Sequence, residues 1–210
     1  MRCEHIFNLA EKELIKMIIN IAISGGPCTG KSTLAASLFA ELKFLGFDYD
    51  LIGEESRKLK KEFGHFQCPF ERLYMWRQQE REELRSTAVN GFITDTPLFH
   101  FYVQVRMYAS EPRHQLAVRE LFRMCLEIED RYQLIILPED PFEIDYKIDQ
   151  SRSLDESRAR KKHDLIESFL KHFWPEKLVF VHGDAKARTK QVVKALKSLQ
   201  KRGAIDHEGK

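Results

Sequence analysis

The sequence predicts an α/β fold, a three-layer sandwich in which a parallel sheet of about five strands carries helices on both faces. Short apolar segments alternate with longer segments of helical periodicity, which is the pattern of βαβ crossovers and therefore of a parallel sheet. Two apolar segments, at 17–24 and 132–137, are almost unbroken, as in strands buried on both faces. The 210 residues contain no internal repeat or linker and therefore predict one domain.

Glycine and proline residues between the segments set their limits. Gly46 ends the first helix, Gly91 follows the long helix at 70–89, and Pro97 and Pro138 end the third and fourth strands. The predicted strands lie at 17–24, 48–53, 92–95, 132–137 and 177–181. The predicted helices lie at 33–42, 54–63, 70–89, 98–109, 113–130, 154–173 and 184–200.

The composition is that of an ordinary globular protein. The net charge of +2 creates no global field for nucleic acid or membranes, and four scattered cysteines without a C-x-x-C pair favour reduced thiols. No apolar run reaches the ~18 residues that span a bilayer, and residues 1–16 lack a signal peptide's apolar core. We therefore expect a cytoplasmic protein without a membrane partner. Residues 1–16 are expected to form an amphipathic helix packed on the domain at 17–200, and 201–210 a polar tail.

The segment Gly25–Ser32 reads G-x-x-x-x-G-K-S, the phosphate-binding Walker A pattern. It lies between a predicted buried strand and a predicted helix, the context that the motif requires. Loop N–H groups and the helix N-terminus would point partial positive charge at phosphate oxygens. We expect Lys31 to contact the β- and γ-phosphates of ATP and the Ser32 hydroxyl to ligate Mg²⁺. The expected nucleotide-binding residues are Gly25, Gly26, Pro27, Cys28, Thr29, Gly30, Lys31, Ser32 and Thr33.

Asp95 ends the third predicted strand, at the edge of the sheet where α/β folds bind ligands. Its carboxylate could ligate Mg²⁺ together with Ser32, or accept the proton of an acceptor hydroxyl. It could instead cap the next helix, because Thr96 and Pro97 follow and this pattern is typical of a helix start.

Two further elements are candidates for catalysis. Glu54 follows the second strand, and Arg57 lies three residues later, so the two could present a carboxylate and a guanidinium to an acceptor, or simply pair on a solvated first turn. The polar segment at about 139–158 is expected to close over bound nucleotide as a lid. It would bring Arg152 and Arg158 to the transferring phosphate and exclude water.

These motifs together resemble the small P-loop kinases typified by the ribosylnicotinamide kinase domain of bacterial NAD-salvage proteins, many of which are classed simply as AAA domains. The resemblance rests on the Walker A segment, Glu54-x-x-Arg57, the Ile93–Thr96 element and the lid arginines, and it covers most of 17–199. It implies a P-loop NTPase fold of the nucleoside or nucleotide kinase type, ATP as donor, Mg²⁺ as metal and a nucleoside-like acceptor. Asp95 and Glu54 would take the family's two acidic positions.

The leading prediction is therefore a kinase that acts on a nucleoside- or nucleotide-like hydroxyl. A first alternative is a polynucleotide kinase of the phage type, acting on a DNA 5′ end or a hydroxymethylated base. Its basic groove would use residues on two predicted helices: Arg113, His114, Arg119, Arg123 and 158–162. A second alternative is an NTPase switch. A GTPase is disfavoured, since no Asn-Lys-x-Asp motif follows the later strands.

Overall fold

The computed structural model describes residues 18–53, 68–143 and 155–208, without the side chains of 203–208. A five-stranded parallel sheet lies between two layers of helices, and the predicted fold class is therefore confirmed. The amphipathic helix expected at 1–16, the helix expected at 54–63 and the middle of the expected lid lie outside the described residues.

The strand order is β2-β3-β1-β4-β5, and each neighbouring pair is parallel. The strands are β1 Ile21–Ile23, β2 Asp50–Ile52, β3 Phe92–Thr94, β4 Leu134–Pro138 and β5 Leu178–Val181. The helices of the described ranges are α1 Lys31–Phe44, α2 Glu71–Leu84, α3 Phe99–Tyr108, α4 His114–Glu127, α5 Glu156–Phe173 and α6 Ala185–Glu208.

Alternate residues of β1 enter two different hydrophobic cores. Ile21 and Ile23 pack into the core that α1 and α6 cover, whereas Ala22 packs into the core formed with α2 to α5. Strand β4 repeats this alternation, and all five of its residues are buried. Because each fully buried aliphatic side chain contributes about 1.5–3 kcal/mol, the sheet is a firm layer that fixes the loops at its carboxyl edge.

Aromatic rings join α3 to α5 on the second face. The ring of Phe99 stacks on Phe169 at 5.9 Å between centroids and meets Trp174 edge-on at 5.5 Å. Tyr102, which follows Phe99 on α3, also contacts Phe169 at 5.6 Å. These contacts hold α5 against the helix that follows β3, and they thereby bring the first turns of α5 to the carboxyl edge of the sheet.

Two helix ends differ from the prediction by more than three residues. Helix α2 ends at Leu84 and not at 89, because Asp50 accepts hydrogen bonds from the Ser86 hydroxyl and the Thr87 N–H, which pulls these residues out to β2. Helix α6 continues to Glu208, through the residues expected to begin the polar tail. A single glycine, Gly203, does not end the helix, and no proline follows it.

Candidate functional site

Asp95 and the Walker A loop leave the sheet side by side. Strands β1 and β3 are parallel neighbours with Ala22 opposite Thr94, so the residue after β3 lies next to the residues that begin the loop. The Ser32 hydroxyl donates a hydrogen bond to Oδ2 of Asp95 at 2.5 Å. Asp95 is only 8% exposed, whereas Ser32 is exposed. The pair therefore presents two oxygen atoms at the mouth of the loop.

Asp95 does not cap the following helix. The residue at the N-cap position of α3 is Leu98, and Oδ1 of Asp95 instead accepts from the hydroxyl of Thr96 at 3.3 Å. The Asp95 carboxylate thus faces the Walker A loop, as the two catalytic roles considered for it require, and does not cap α3.

The loop has the backbone of an anion site. Gly30, at the N-cap position of α1, has a φ of +79°, and Cys28 also has a positive φ, of +62°. No acidic residue lies in the first turn of α1, and its N-cap residue, Gly30, has no side chain that could cap the helix. The N-terminal N–H groups of α1 and their partial positive charge are thus directed at the space above the loop.

The Lys31 side chain lies over its own loop. Its Nζ donates to the Gly26 carbonyl at 2.5 Å, and the Thr29 hydroxyl donates to the same oxygen at 3.1 Å. An anion in the loop would compete with this carbonyl for the lysine, because a charged phosphate oxygen is the stronger acceptor.

Two buried histidines contact the loop from different helices. His100, on α3, has its Nε2 2.7 Å from the hydroxyl of Ser24, the residue directly before the loop. His163, on α5, accepts a hydrogen bond at Nδ1 from the Gly26 N–H at 3.3 Å. Burial lowers the pKa of both imidazoles, and the charge of Lys31 lowers each of them further. Both rings are therefore neutral at pH 7.

The first turns of α5 carry the candidate lid cations. Asp155 caps the helix through the N–H of Arg158 at 2.8 Å, and the Arg158 guanidinium is 61% exposed, with its Nε 3.7 Å from Asp155. One turn later Lys162 is half-buried, and its charge, with that of Lys31, acts on His100. Lys162 is thus a cation on the partly buried side of α5, within the segment 158–162 that the sequence analysis considered for a basic groove.

Helix α6 supports the loop on its other side. Arg188 is 1% exposed, and its Nη1 donates to the Thr29 carbonyl at 2.9 Å. Its Nη2 lies 3.2 Å from Oε2 of Glu143, and the same oxygen accepts from the Gly183 N–H at 2.6 Å. One guanidinium therefore connects the Walker A loop with the start of the expected lid and with the turn between β5 and α6.

The structure brings together only some of the predicted site residues. Ser32, Asp95 and the loop converge, and Arg158 lies on the helix that packs against the loop. Glu54, Arg57 and Arg152 lie outside the described residues.

Sequence reasoning missed His163 and Arg188, although both carry a signal. His163 lies at helical spacing from Ala159 and Ile166, and Arg188 lies four residues before Val192, so each shares a face with buried residues.

A family model described as an AAA domain matches residues 20–188, which span β1 to the start of α6. The chain belongs to this AAA domain family. No curated protein sequence matches it at a significant level.

The chain shares its fold with several solved structures. NadR in complex with NR is similar with a TM-score of 0.66 and 17% identity, over 93% of this chain and 59% of that one. NadR in complex with NAD and AMP-PNP is similar with a TM-score of 0.68 and 16% identity, over 94% of this chain and 58% of that one. Thymidylate kinase from Ehrlichia chaffeensis is similar with a TM-score of 0.60 and 13% identity, over 86% of this chain and 99% of that one. The chain thus spans somewhat over half of NadR, and the predicted resemblance is confirmed for the fold.

Two kinds of feature are absent from the described residues. No group of three or more His, Cys, Asp or Glu side chains is arranged to hold a metal there. None of the helices in these ranges has the length and apolar content that a membrane span requires.

Proposed function

We propose that this AAA domain protein is a Mg²⁺-dependent kinase that transfers the γ-phosphoryl group of ATP to a hydroxyl of a nucleoside- or nucleotide-like acceptor. The observation that carries the proposal is the Ser32–Asp95 contact at the mouth of a Walker A loop that ends in a glycine at the N-cap of α1. It combines amides that suit phosphates with two oxygen ligands that suit a hard cation. The shared fold with NadR and thymidylate kinase supports the same reaction class.

The residues present fit magnesium. Mg²⁺ is usually held by one or two protein ligands and completes its octahedron with water and substrate phosphates. Ser32 and Asp95 would be those ligands, and a site of only two protein oxygens agrees with the lack of a larger ligand cluster among the described residues. When bound, the ion would neutralise charge on the β- and γ-phosphate oxygens.

The chain's own residues would bind the phosphates, orient the acceptor hydroxyl and neutralise charge on the transferring group. The acceptor oxygen forms a bond to the γ-phosphorus while the bond from that phosphorus to the β–γ bridging oxygen breaks, so that ADP leaves. Lys31 would exchange the Gly26 carbonyl for the β- and γ-phosphates. Asp95 or Glu54 would take the hydroxyl proton. Arg57, Arg152 and Arg158 would stabilise charge on the transferring group.

A DNA acceptor has less support. In the described residues, Arg113 pairs with Glu111 at 2.5 Å, and Arg123 pairs with Glu120 at 2.7 Å and also with Glu127. These arginines, which would line a basic groove, are thus partly neutralised by carboxylates close to them in sequence. A nucleoside-like acceptor needs no such groove.

The test is an acceptor screen with γ-labelled ATP and Mg²⁺. It covers ribo- and deoxynucleosides, nicotinamide riboside, nucleoside monophosphates, and single- and double-stranded DNA with normal or hydroxymethylated bases, each at two salt concentrations. We expect label on one small molecule, insensitive to salt. Label on DNA that fades with salt would replace this proposal with the polynucleotide kinase, and release of free phosphate alone would replace it with an NTPase.

The control variants are Lys31→Ala and Lys43→Ala. Both residues lie on α1, but Lys43 pairs with Asp48 on the surface, far along the helix from the loop. Transfer should disappear in Lys31→Ala and persist in Lys43→Ala. Wild-type turnover by Lys31→Ala would contradict the proposed kinase function.

A further inference from the structure

The carbonyl and N–H groups of Gly26 make several of the hydrogen bonds that hold the Walker A loop. The Gly26 carbonyl accepts from the Lys31 ammonium and the Thr29 hydroxyl, while the Gly26 N–H donates to Nδ1 of His163. His163 is the partner that comes from outside the loop, across 137 residues of sequence. It is 1% exposed, so water does not replace it in this conformation.

Helix α5 approaches the loop closely at this point. A Cβ on Gly26 would lie 2.7 Å from the Ala159 carbonyl oxygen and 3.1 Å from Cβ of His163. Glycine is thus required because the helix backbone occupies the space of a side chain. The same helix begins at Glu156, within the last residues of the expected lid, and carries Arg158 in its first turn.

We infer that His163 is a positioning residue of the nucleotide site, whose Nδ1 fixes the Gly26 peptide and couples the position of α5 to the Walker A loop. This inference rests on the proposed function, since it assigns His163 a part in nucleotide binding. The residue acts through Gly26, and the loop then holds the phosphates.

The hydrogen bond requires Nδ1 without a proton. The charges of Lys31 and of three residues on its own helix, Arg160, Asp164 and Glu167, act on the ring, and the ring in turn acts on His100 of α3. Burial and the charges of Lys31 and Arg160 oppose protonation, whereas the carboxylates of Asp164 and Glu167 favour it. Acidification would add a second cation beside Lys31 and remove the acceptor for the Gly26 N–H.

The experiment compares His163→Leu, which keeps the volume but removes the acceptor, with His163→Asn, whose Oδ1 can take the place of Nδ1 and does not titrate. His172→Leu is the matched control, on the exposed side of the same helix. The probe is a fluorescent ADP with Mg²⁺, titrated from pH 7.5 to 5.5. Hydrogen exchange of the Gly26 amide is followed by NMR in parallel.

We expect His163→Leu to raise the Kd of the probe about tenfold, equivalent to about 1.4 kcal/mol, and to speed exchange of the Gly26 amide. His163→Asn should bind as the wild type does at pH 7.5 and should lose part of the wild type's weakening at low pH. Wild-type binding by His163→Leu would overturn the inference, as would a folded His163→Asn that binds no better than His163→Leu. If His163→Leu does not fold, His163→Asn and its pH profile decide.

Failure of the proposed function is recognised separately. A wild-type protein that binds no nucleotide would refute that proposal, while exchange of the Gly26 amide would still test whether His163 holds the loop. An unchanged exchange rate in both His163 variants would then refute the positioning role by itself.

Discussion

The Ser32 hydroxyl and Oδ2 of Asp95 lie 2.5 Å apart, although 63 residues separate them in sequence. Ser32 belongs to the first turn of α1 and Asp95 follows β3, so the contact joins the start of α1 to the end of β3. A cation carried in by a nucleotide would meet both oxygens without a large rearrangement. The metal dependence of binding should therefore depend on both residues.

The first prediction concerns that metal dependence. In the wild type, Mg²⁺ should tighten ATP binding relative to EDTA, and Asp95→Asn or Ser32→Ala should largely abolish the difference while leaving metal-free binding nearly unchanged. We expect Asp95→Asn to lower kcat by about two orders of magnitude or more, since it removes a charge that holds the metal in the transition state. Isothermal titration with and without Mg²⁺ measures the first effect, and single-turnover kinetics measures the second.

Asp130→Asn is the control for this substitution. Asp130 lies before β4, at the opposite edge of the sheet, where it pairs with Lys177 at 3.7 Å. A loss of metal-dependent binding in this variant, or its full retention in Asp95→Asn, would contradict the assignment of Asp95 as a metal ligand.

A second prediction separates the cations of α5. Arg158→Ala should lower kcat at least about tenfold and raise the KM for ATP less, because a lid arginine acts mainly in the transition state. If the half-buried Lys162 also reaches the transferring phosphate, Lys162→Met should likewise lower kcat more than it raises the KM for ATP. Arg123→Ala on α4 provides the control, since this exposed arginine pairs with Glu120 and Glu127. An unchanged kcat in Arg158→Ala would assign that residue to the surface.

Much of the fold could be predicted from local patterns. The unbroken apolar runs around β1 and β4 reflect burial on both faces, and the glycine-rich loop between a strand and a helix is specific enough to locate the phosphate site. Asp95 could be placed at the sheet edge because parallel strands end on the same side. None of these inferences needed a contact between distant side chains.

The supports of the loop could not be recognised so easily. Arg188 lies among Lys186 and Lys190, in a sequence that resembles a solvated helix surface, and only its spacing to Val192 places it on the buried face. His163 follows Arg160, Lys161 and Lys162 and is obscured in the same way. A buried polar residue depends on the partner that satisfies it, and that partner is remote in sequence.

The third prediction addresses Arg188. Arg188→Met should preserve much of the packing but leave the Thr29 carbonyl without its donor, and hydrogen bonds from charged donors contribute about 1.5–3 kcal/mol. We expect a lower melting temperature and several-fold weaker nucleotide binding. Lys190→Met, on the same helix, is the control. Urea unfolding and ADP binding distinguish a role in the loop from one in the fold alone. Stability lost with unchanged affinity would indicate that the loop does not need this contact.

The fourth prediction is a loss of stability at low pH that His100 and His163 cause. Burial lowers the pKa of both in the folded state below the ordinary 6.5, so the unfolded chain binds more protons as the pH falls through that value. The contribution of these histidines to the free energy of unfolding should therefore be largest above pH 6.5 and decrease below it, by up to about 1.4 kcal/mol per pH unit and histidine. His100→Gln and His163→Asn should each flatten the decrease, whereas His172→Gln should not. Equal slopes in all variants would contradict the assignment.

The last prediction concerns a buried carboxyl group with the opposite effect. Glu83 on α2 is 2% exposed and accepts from the Tyr132 hydroxyl at 2.9 Å, and burial raises its pKa to about 8 from an ordinary 4.5. Its contribution to stability is thus complete below pH 4.5 and is lost as the pH rises towards 8, by up to about 1.4 kcal/mol per unit.

Glu83→Gln keeps an acceptor for Tyr132 and cannot ionise. We therefore expect its stability relative to the wild type to increase steadily from pH 5 to pH 8 in urea unfolding. Glu82→Gln, beside it on the surface and paired with Arg85, supplies the control and should show no such trend. A constant difference between Glu83→Gln and the wild type across this range would mean that Glu83 titrates normally, so that Tyr132 and Arg131 stabilise its charged form despite burial.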